Sequence, residues 1–403
     1  MIKINFIKDF IIIIGISLAI LVGSEMILRM VFPEKISTPV TLAYEFNEEY
    51  LISLKPNITK EFVRKEENGG YITRWKTNSN SFRGAALKDN PRFRIIVYGD
   101  SNVQARFSWS SRTFSVQLMN YLNKNGLDVE VINAGIVGFG PDQSLIRFKK
   151  EIDEYRPNLV IFHIFADNDF GDIIRNRLFS LDANGNLVYT NYKKTIDKYL
   201  LNRERKNQKA FISSLLTVRA IKKLILSRKR KVERLRKVER LQKRAKQEYL
   251  VYKDSSQRKF SHFADHYDID IALNPDQESS RTKIRLMKEV LKEANRVARV
   301  KGVKFMVLIQ PSVKDLTKNN STLGYEYLQK YPGYKRTNLT DAVEKICVSQ
   351  NIHSINLFRV FKENSPEELF FKAGDDHWND QGQSLAAIET AKYIINNSMI
   401  ERK

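Results

Sequence analysis

Apolar and polar positions divide the chain into an apolar head, a polar stretch and a long alternating body. Phe10 to Ser24 is apolar or small without interruption, and Glu25 to Phe32 (EMILRMVF) extends the run. A helix of that length matches the hydrocarbon core of a bilayer, so residues 10–32 are expected to form a transmembrane anchor. The run is too uniformly apolar to leave the wet face of a soluble surface helix. Glu25 and Arg29 fall four apart, where an acid and a base can pair on a helix. After Pro33 comes a polar, aromatic-rich stretch to about Asn90, punctuated by Pro56 and Gly69-Gly70 as turn signals.

A regular alternation then begins. Arg94 to Tyr98 (RIIVY), Val129 to Ile132 and Leu159 to Phe165 (LVIFHIF) read as buried strands, with helical stretches through Leu122 and from Gln143 to Glu154 between them. Val303 to Ile309 and Ser354 to Leu357 are expected to add two more strands, each preceded by a helix. Continuously apolar strands alternating with helices predict an α/β fold, a parallel sheet covered by helices on both faces. Such sheets take ligands at the carboxyl ends of their strands, so candidate chemistry belongs just after each strand.

Charge changes this picture in one place. The formal net charge of the 403 residues is +22, and residues 201–250 alone hold 18 Lys/Arg against 4 Asp/Glu. The remainder is only mildly basic. Ser227 to Gln247 is the most basic part, with a duplicated hexapeptide, Lys231 to Arg236 and Lys237 to Gln242. Strong helix formers without proline or glycine predict a helix there. Leu235, Val238 and Leu241 give it only a narrow apolar stripe. A solvated basic face is one reading; docking onto anionic lipid headgroups or an acidic glycan is the other. Nucleic-acid binding has charge in its favour but no recognition fold or aromatic platform. The single cysteine, Cys347, excludes an internal disulfide framework and reads as a core residue.

Lys3 and Lys8 precede the apolar run, which places the short N-terminus inside and the bulk of the chain outside. Val22-Gly23-Ser24 could serve as a cleavage site, but the apolar run continues past it, favouring an uncleaved anchor. The expected organisation is a cytoplasmic N-terminus (1–9), the anchor (10–32), and an extension packing on the catalytic domain (33–90). The α/β domain follows in two parts (91–200 and 278–403), interrupted by a basic helical insertion (201–277).

The first strand ends in Gly99-Asp100-Ser101-Asn102, where a sharp strand-to-helix turn would expose the serine hydroxyl above the sheet. Asn133 to Gly140 follows the second strand; its glycines could bring backbone N–H groups to an oxyanion. Ala166-Asp167-Asn168-Asp169 follows the third. Asn168 could donate its amide to the same oxyanion, while Asp169 could hold the turn through backbone N–H groups. N-capping, loop mobility and turn chemistry explain each segment equally well when it is taken alone. Of five histidines, His163 and His353 lie in strand-like runs and are expected in the core. His262 and His266, with Asp265 between them, lack a third metal ligand and read as a solvated helix face. His377, in Gly374-Asp375-Asp376-His377-Trp378-Asn379 after the last strand, is the candidate base.

These four segments, in this order, resemble the SGNH hydrolase superfamily, in its membrane-anchored bacterial form. The match runs through Gly99-Asp100-Ser101, Asn133 through Gly138, and Asn168-Asp169 to His377. Thr77 to Gly84, Asn379 and Gly382 also resemble segments of anchored members. Two departures stand out: Ala166 replaces a glycine, and Gly374 stands where the acid three residues before the histidine is usual. The resemblance covers about residues 75–175 and 285–395. It implies a three-layer, flavodoxin-like sheet, Ser101 as nucleophile, His377 as base and Asp375, with Asp376 as alternative, as orienting acid. Gly138 and Asn168 would complete the oxyanion hole, with no metal or organic cofactor.

The function expected is a serine esterase or O-acyltransferase acting on acyl esters of cell-envelope glycans or lipids. The expected partners are an acylated glycan or lipid, the membrane, anionic lipids at residues 227–247, and a membrane acyltransferase. The competing readings are an inactive SGNH domain that binds carbohydrate or assists an acyltransferase, and a basic coiled-coil adaptor with the α/β domain as scaffold.

Overall fold

The computed structural model describes residues 2–32, 43–64, 68–190, 215–218, 243, 268–317, 331, 333–372 and 375–400. The duplicated hexapeptide, nearly all of residues 227–247, the His262–His266 pair and Gly374 lie outside the described residues.

Helix α1 (Ile2–Val31) is long and apolar enough to cross a membrane, and its apolar side chains from Phe10 to Val22 are exposed. Glu25 and Arg29 pair on it at 2.9 Å. The Glu25 carboxylate also accepts hydrogen bonds from the backbone N–H groups of Leu216 and Thr217. Two antiparallel hairpins form the extension: β1 (Tyr44–Asn47) with β2 (Leu51–Leu54), and β3 (Thr59–Val63) with β4 (Ile72–Lys76).

The body is one five-stranded sheet built from β5 (Phe93–Tyr98), β6 (Val129–Asn133), β7 (Leu159–Phe165), β10 (Lys304–Gln310) and β11 (His353–Asn356). Every pairing is parallel, in the spatial order β11-β10-β7-β5-β6. Counted along the body this is 2-1-3-4-5, the flavodoxin-like order, whose switch point lies between its first and third strands, β5 and β7. Sequence alternation sends side chains to opposite faces. Ile96, Tyr98, Val160, Phe162 and Val307 pack with helices α4 (Pro141–Tyr155), α7 (Glu278–Val300) and α9 (Asn338–Ser349). On the other face Ile95, Val97, Ile161, Met306 and Leu308 pack with α3 (Phe114–Lys124) and α11 (Asp380–Asn396). The expected α/β fold, with a sheet covered on both faces, is the fold observed.

Three details differ from the sequence reading. Helix α6 (Ile269–Leu273) is buried in the main core, so the body resumes ahead of residue 278. Residues 179–189 form a further hairpin, β8 (Phe179–Leu181) with β9 (Leu187–Tyr189). His353, expected in the core, is exposed, because β11 is an edge strand and His353 is its first residue. Cys347 is buried in the core as expected, and burial pushes its thiol up to about 12.

Candidate active site

Strand β5 ends at Tyr98, and Gly99-Asp100 leads directly into α2 (Ser101–Gln104), which places Ser101 at the carboxyl edge of the sheet. Asp100 caps this short helix, its carboxylate accepting from the Asn102 backbone N–H at 2.8 Å. Gly99 is needed for space rather than for an unusual φ. A Cβ there would lie 2.6 Å from a Val103 methyl and 3.0 Å from the His163 Cβ.

His377 reaches this serine from the opposite end of the sequence. Its Nε2 lies 2.7 Å from Ser101 Oγ, and its Nδ1 lies 2.6 Å from Asp375 Oδ1. The same Asp375 oxygen accepts the His377 backbone N–H at 3.1 Å, which fixes the carboxylate to the residue it orients. Asp376 Oδ1 stands 3.4 Å from Nδ1, beyond good hydrogen-bond length, on a side chain 40% exposed. Burial pulls the His377 imidazolium down, but the bond to Asp375 and the charges of Asp375, Asp376 and Asp100 outweigh it, and the net direction is up. The atoms of Asp375, Asp376 and His377 are close enough to hold a cation. Both ring nitrogens of His377, however, are directed at Asp375 and Ser101.

Gly138 and Asn168 follow β6 and β7, the two strands that flank β5. Gly138 has φ +73°, a conformation that favours glycine. Its carbonyl accepts from Arg175 at 2.9 Å, and the preceding Val137 N–H is held by Gln104 Oε1 at 2.9 Å. Asn168 is the N-cap residue of α5 (Asp169–Asn176), yet its side chain makes no capping bond. Among the described residues, no acceptor meets the Ser101 N–H, the Gly138 N–H or the Asn168 amide. Asp169 does accept the Phe165 backbone N–H at 2.7 Å, and burial raises its carboxyl well above the usual range.

The structure adds residues that the sequence reading did not single out. Asn102, buried beside the nucleophile, ties the two halves of the site together. Its Oδ1 accepts the Trp378 backbone N–H at 3.3 Å, and its carbonyl accepts the Trp378 indole N–H at 2.9 Å. Gln310, at the end of β10, donates to Asn102 Oδ1 at 3.1 Å and meets His163 Nε2 at 2.7 Å. His163 is thus core, as expected, with burial lowering its pKa; its Nδ1 stands 3.6 Å from Asp100, too far for a hydrogen bond. The Thr77–Gly84 segment contributes Arg83, whose buried guanidinium donates to the carbonyls of Gln104 and Ser108. Looking at every strand end would have found Gln310; the resemblance marked the Thr77–Gly84 segment but gave Arg83 no role.

Comparison with known proteins places this geometry in context. No family model matches, and no curated protein matches. Among solved structures, the chain is similar to a lipase/acylhydrolase from Enterococcus faecalis, at 11% identity and a TM-score of 0.38, over 76% of this chain and 96% of that one. It is also similar to a psychrotrophic esterase from Pseudoalteromonas sp., at 12% identity and TM-score 0.36, over 76% and 98%. An acetylxylan esterase from Geobacillus stearothermophilus, solved as a catalytic mutant, matches at 9% identity and TM-score 0.37, over 79% and 100%. The strand order of this chain is the one the resemblance to SGNH hydrolases implies.

Proposed function

We propose that the chain is a membrane-anchored serine esterase or O-acyltransferase of the SGNH type. The observation that carries this is the unbroken line from Ser101 Oγ through His377 to Asp375, at 2.7 and 2.6 Å, on the carboxyl edge of the parallel sheet. In the mechanism, His377 Nε2 takes the Ser101 proton as Oγ attacks the ester carbonyl, and Asp375 stabilises the imidazolium that forms. The oxyanion is received by the Ser101 and Gly138 N–H groups and the Asn168 amide, which meet no other acceptor among the described residues. Collapse breaks the ester bond, and the leaving alkoxide takes the proton from His377. Water then resolves the acyl-enzyme in an esterase; a sugar or lipid hydroxyl resolves it in a transferase. The apolar α1, with Lys3 and Lys8 before its most apolar part, supports an anchored catalytic domain facing outward, toward acylated glycans or lipids of the envelope.

The test uses the full chain in detergent, with p-nitrophenyl acetate and a fluorophosphonate probe. Turnover and labelling of the parent, both abolished in Ser101→Ala and in His377→Ala, are the expected result. A folded parent inert to both reagents would replace the enzyme reading with that of a binding domain.

A further inference from the structure

The hairpin β3–β4 lies far from Ser101 and His377 in sequence, yet it grips the loops that carry both. Arg64, just past the end of β3, is the centre of the grip. Its side chain is only 6% exposed, and its NH2 group donates to both carboxylate oxygens of Asp380 at 3.0 and 3.1 Å. The Arg64 Nε donates to the Phe107 carbonyl and its NH1 to the Tyr71 hydroxyl. The guanidinium also lies over the rings of Tyr71 and Phe371, at 4.4 and 4.9 Å. Asp380 comes three residues after His377, and Phe107 six after Ser101. The Phe107 ring packs edge-on against His377 at 5.6 Å and against Phe371 at 5.7 Å. Two further contacts repeat the pattern: Asn68 accepts from and donates to the Lys372 backbone, and the Thr73 hydroxyl bonds the Arg106 carbonyl.

We infer that Arg64 is a positioning residue for the Ser101–His377 contact, and that the extension supplies it as part of the catalytic apparatus. The inference rests on the serine-enzyme reading above. Ser101 and His377 belong to loops 276 residues apart that must hold a 2.7 Å contact. A planar cation with several fixed donors can bind a carbonyl on one loop and a carboxylate on the other simultaneously. Lysine offers the charge without the fork. Arg64 touches neither Ser101 nor His377, so its loss should reduce the rate of the chemical step and leave substrate binding alone.

The experiment measures fluorophosphonate inactivation and p-nitrophenyl acetate turnover of the full chain in detergent, for the parent, Arg64→Ala, Arg64→Lys and Asp380→Asn. Small misplacements of reacting groups lose up to about 100-fold, so Arg64→Ala is expected to lower kinact and kcat by about 10- to 100-fold. KI and KM should stay within about twofold, the split expected of a residue that acts only through the position of the reacting groups. Arg64→Lys should recover part of the loss. A folded Arg64→Ala protein with parental kinact overturns the inference. Should Arg64→Ala fail to fold, Asp380→Asn decides by the same criterion, since it keeps shape but removes the charge. An unreactive parent overturns the serine-enzyme reading, and this inference with it.

Discussion

The identity of the orienting acid is the sharpest question, because two adjacent aspartates stand near one imidazole nitrogen. Asp375 Oδ1 is 2.6 Å from His377 Nδ1, held there by the backbone N–H of the same histidine, on a side chain 17% exposed. At an effective dielectric near 20, a carboxylate so placed attracts the imidazolium by about 6 kcal/mol before desolvation is counted. A charge-assisted hydrogen bond contributes about 1.5–3 kcal/mol net; between that and the gross attraction of about 6 kcal/mol, removal of Asp375 should raise the barrier by roughly 3–5 kcal/mol. Asp376 Oδ1 is 3.4 Å away and 40% exposed. In a nearly aqueous dielectric its attraction is about 1 kcal/mol. The expected losses in kcat are therefore about 100- to 10,000-fold for Asp375→Ala and less than about tenfold for Asp376→Ala.

The assay is the pH dependence of kcat/KM for p-nitrophenyl acetate in parent and variants. The free base of His377 accepts the Ser101 proton, so activity falls as pH drops through the histidine pKa. With that pKa raised from its ordinary 6.5, the acid limb of the parent lies above 6.5. Asp375→Ala should move the limb down as well as lower the plateau, while Asp376→Ala should shift it only slightly. Equal losses in the two variants, or a larger loss in Asp376→Ala, would refute the assignment of Asp375.

Asn168→Ala should reduce kcat by about 100- to 1,000-fold with little change in melting temperature, because the amide meets no acceptor among the described residues. Circular dichroism and turnover together check it; a parental kcat would remove Asn168 from the oxyanion hole. Lys283 is buried between Asp268 and Asp270, 2.8 Å from the latter. Lys283→Met would leave both carboxylates without their cation, at about 3–5 kcal/mol in urea unfolding. Burial raises Asp142 to about 7, and one of its carboxylate oxygens has no hydrogen-bond partner. Asp142→Asn should accordingly stabilise the fold by roughly 1–4 kcal/mol at pH 8 and hardly at all at pH 4. A variant less stable than its parent at pH 8 would contradict the burial argument.

How much of this was legible depends on the range of the interaction. Alternating apolar strands and helices located all five sheet strands to within a residue or two, because a doubly covered parallel strand must be apolar throughout. The rule that chemistry follows strands led to Ser101, the Asn133–Gly140 loop, Asn168 and His377, and the resemblance singled out Gly138 within that loop. The pairing of His377 with Asp375 followed from the resemblance; spacing left Asp376 as the alternative, and the 2.6 Å contact in the structure favours Asp375. Arg64 and Arg83 were not readable. Each is buried by loops far away in sequence, and a lone arginine in a polar stretch looks like any solvated cation. The edge position of His353 was equally hidden, since strand order is not a local property. The same holds for α6, five residues whose apolar side chains gain meaning only from the core they enter.

The pH behaviour of site and scaffold then pulls in opposite directions. Activity needs neutral His377, whose pKa is raised by Asp375 against burial, so turnover improves as pH climbs above 6.5. The scaffold carries buried acids whose carboxyls are raised by burial, Asp142 and Asp315 each to about 7 from 3.8. A carboxyl with a raised folded-state pKa contributes stability that is complete below its unfolded value and lost as pH rises through the folded one. Each of these two can withdraw up to about 4 kcal/mol between pH 4 and pH 8, a large part of a typical stability of about 5–15 kcal/mol. Asp315, five residues past the end of β10, accepts the Tyr334 hydroxyl at 2.6 Å near the carboxyl ends of the strands. The rate per folded molecule should therefore rise through the raised histidine pKa and then level, while stability declines from about pH 4 to about pH 7. Initial rates and melting temperatures measured across pH 5–9 should diverge, and melting temperatures that rise in parallel with activity would show that the buried acids ionise without strain.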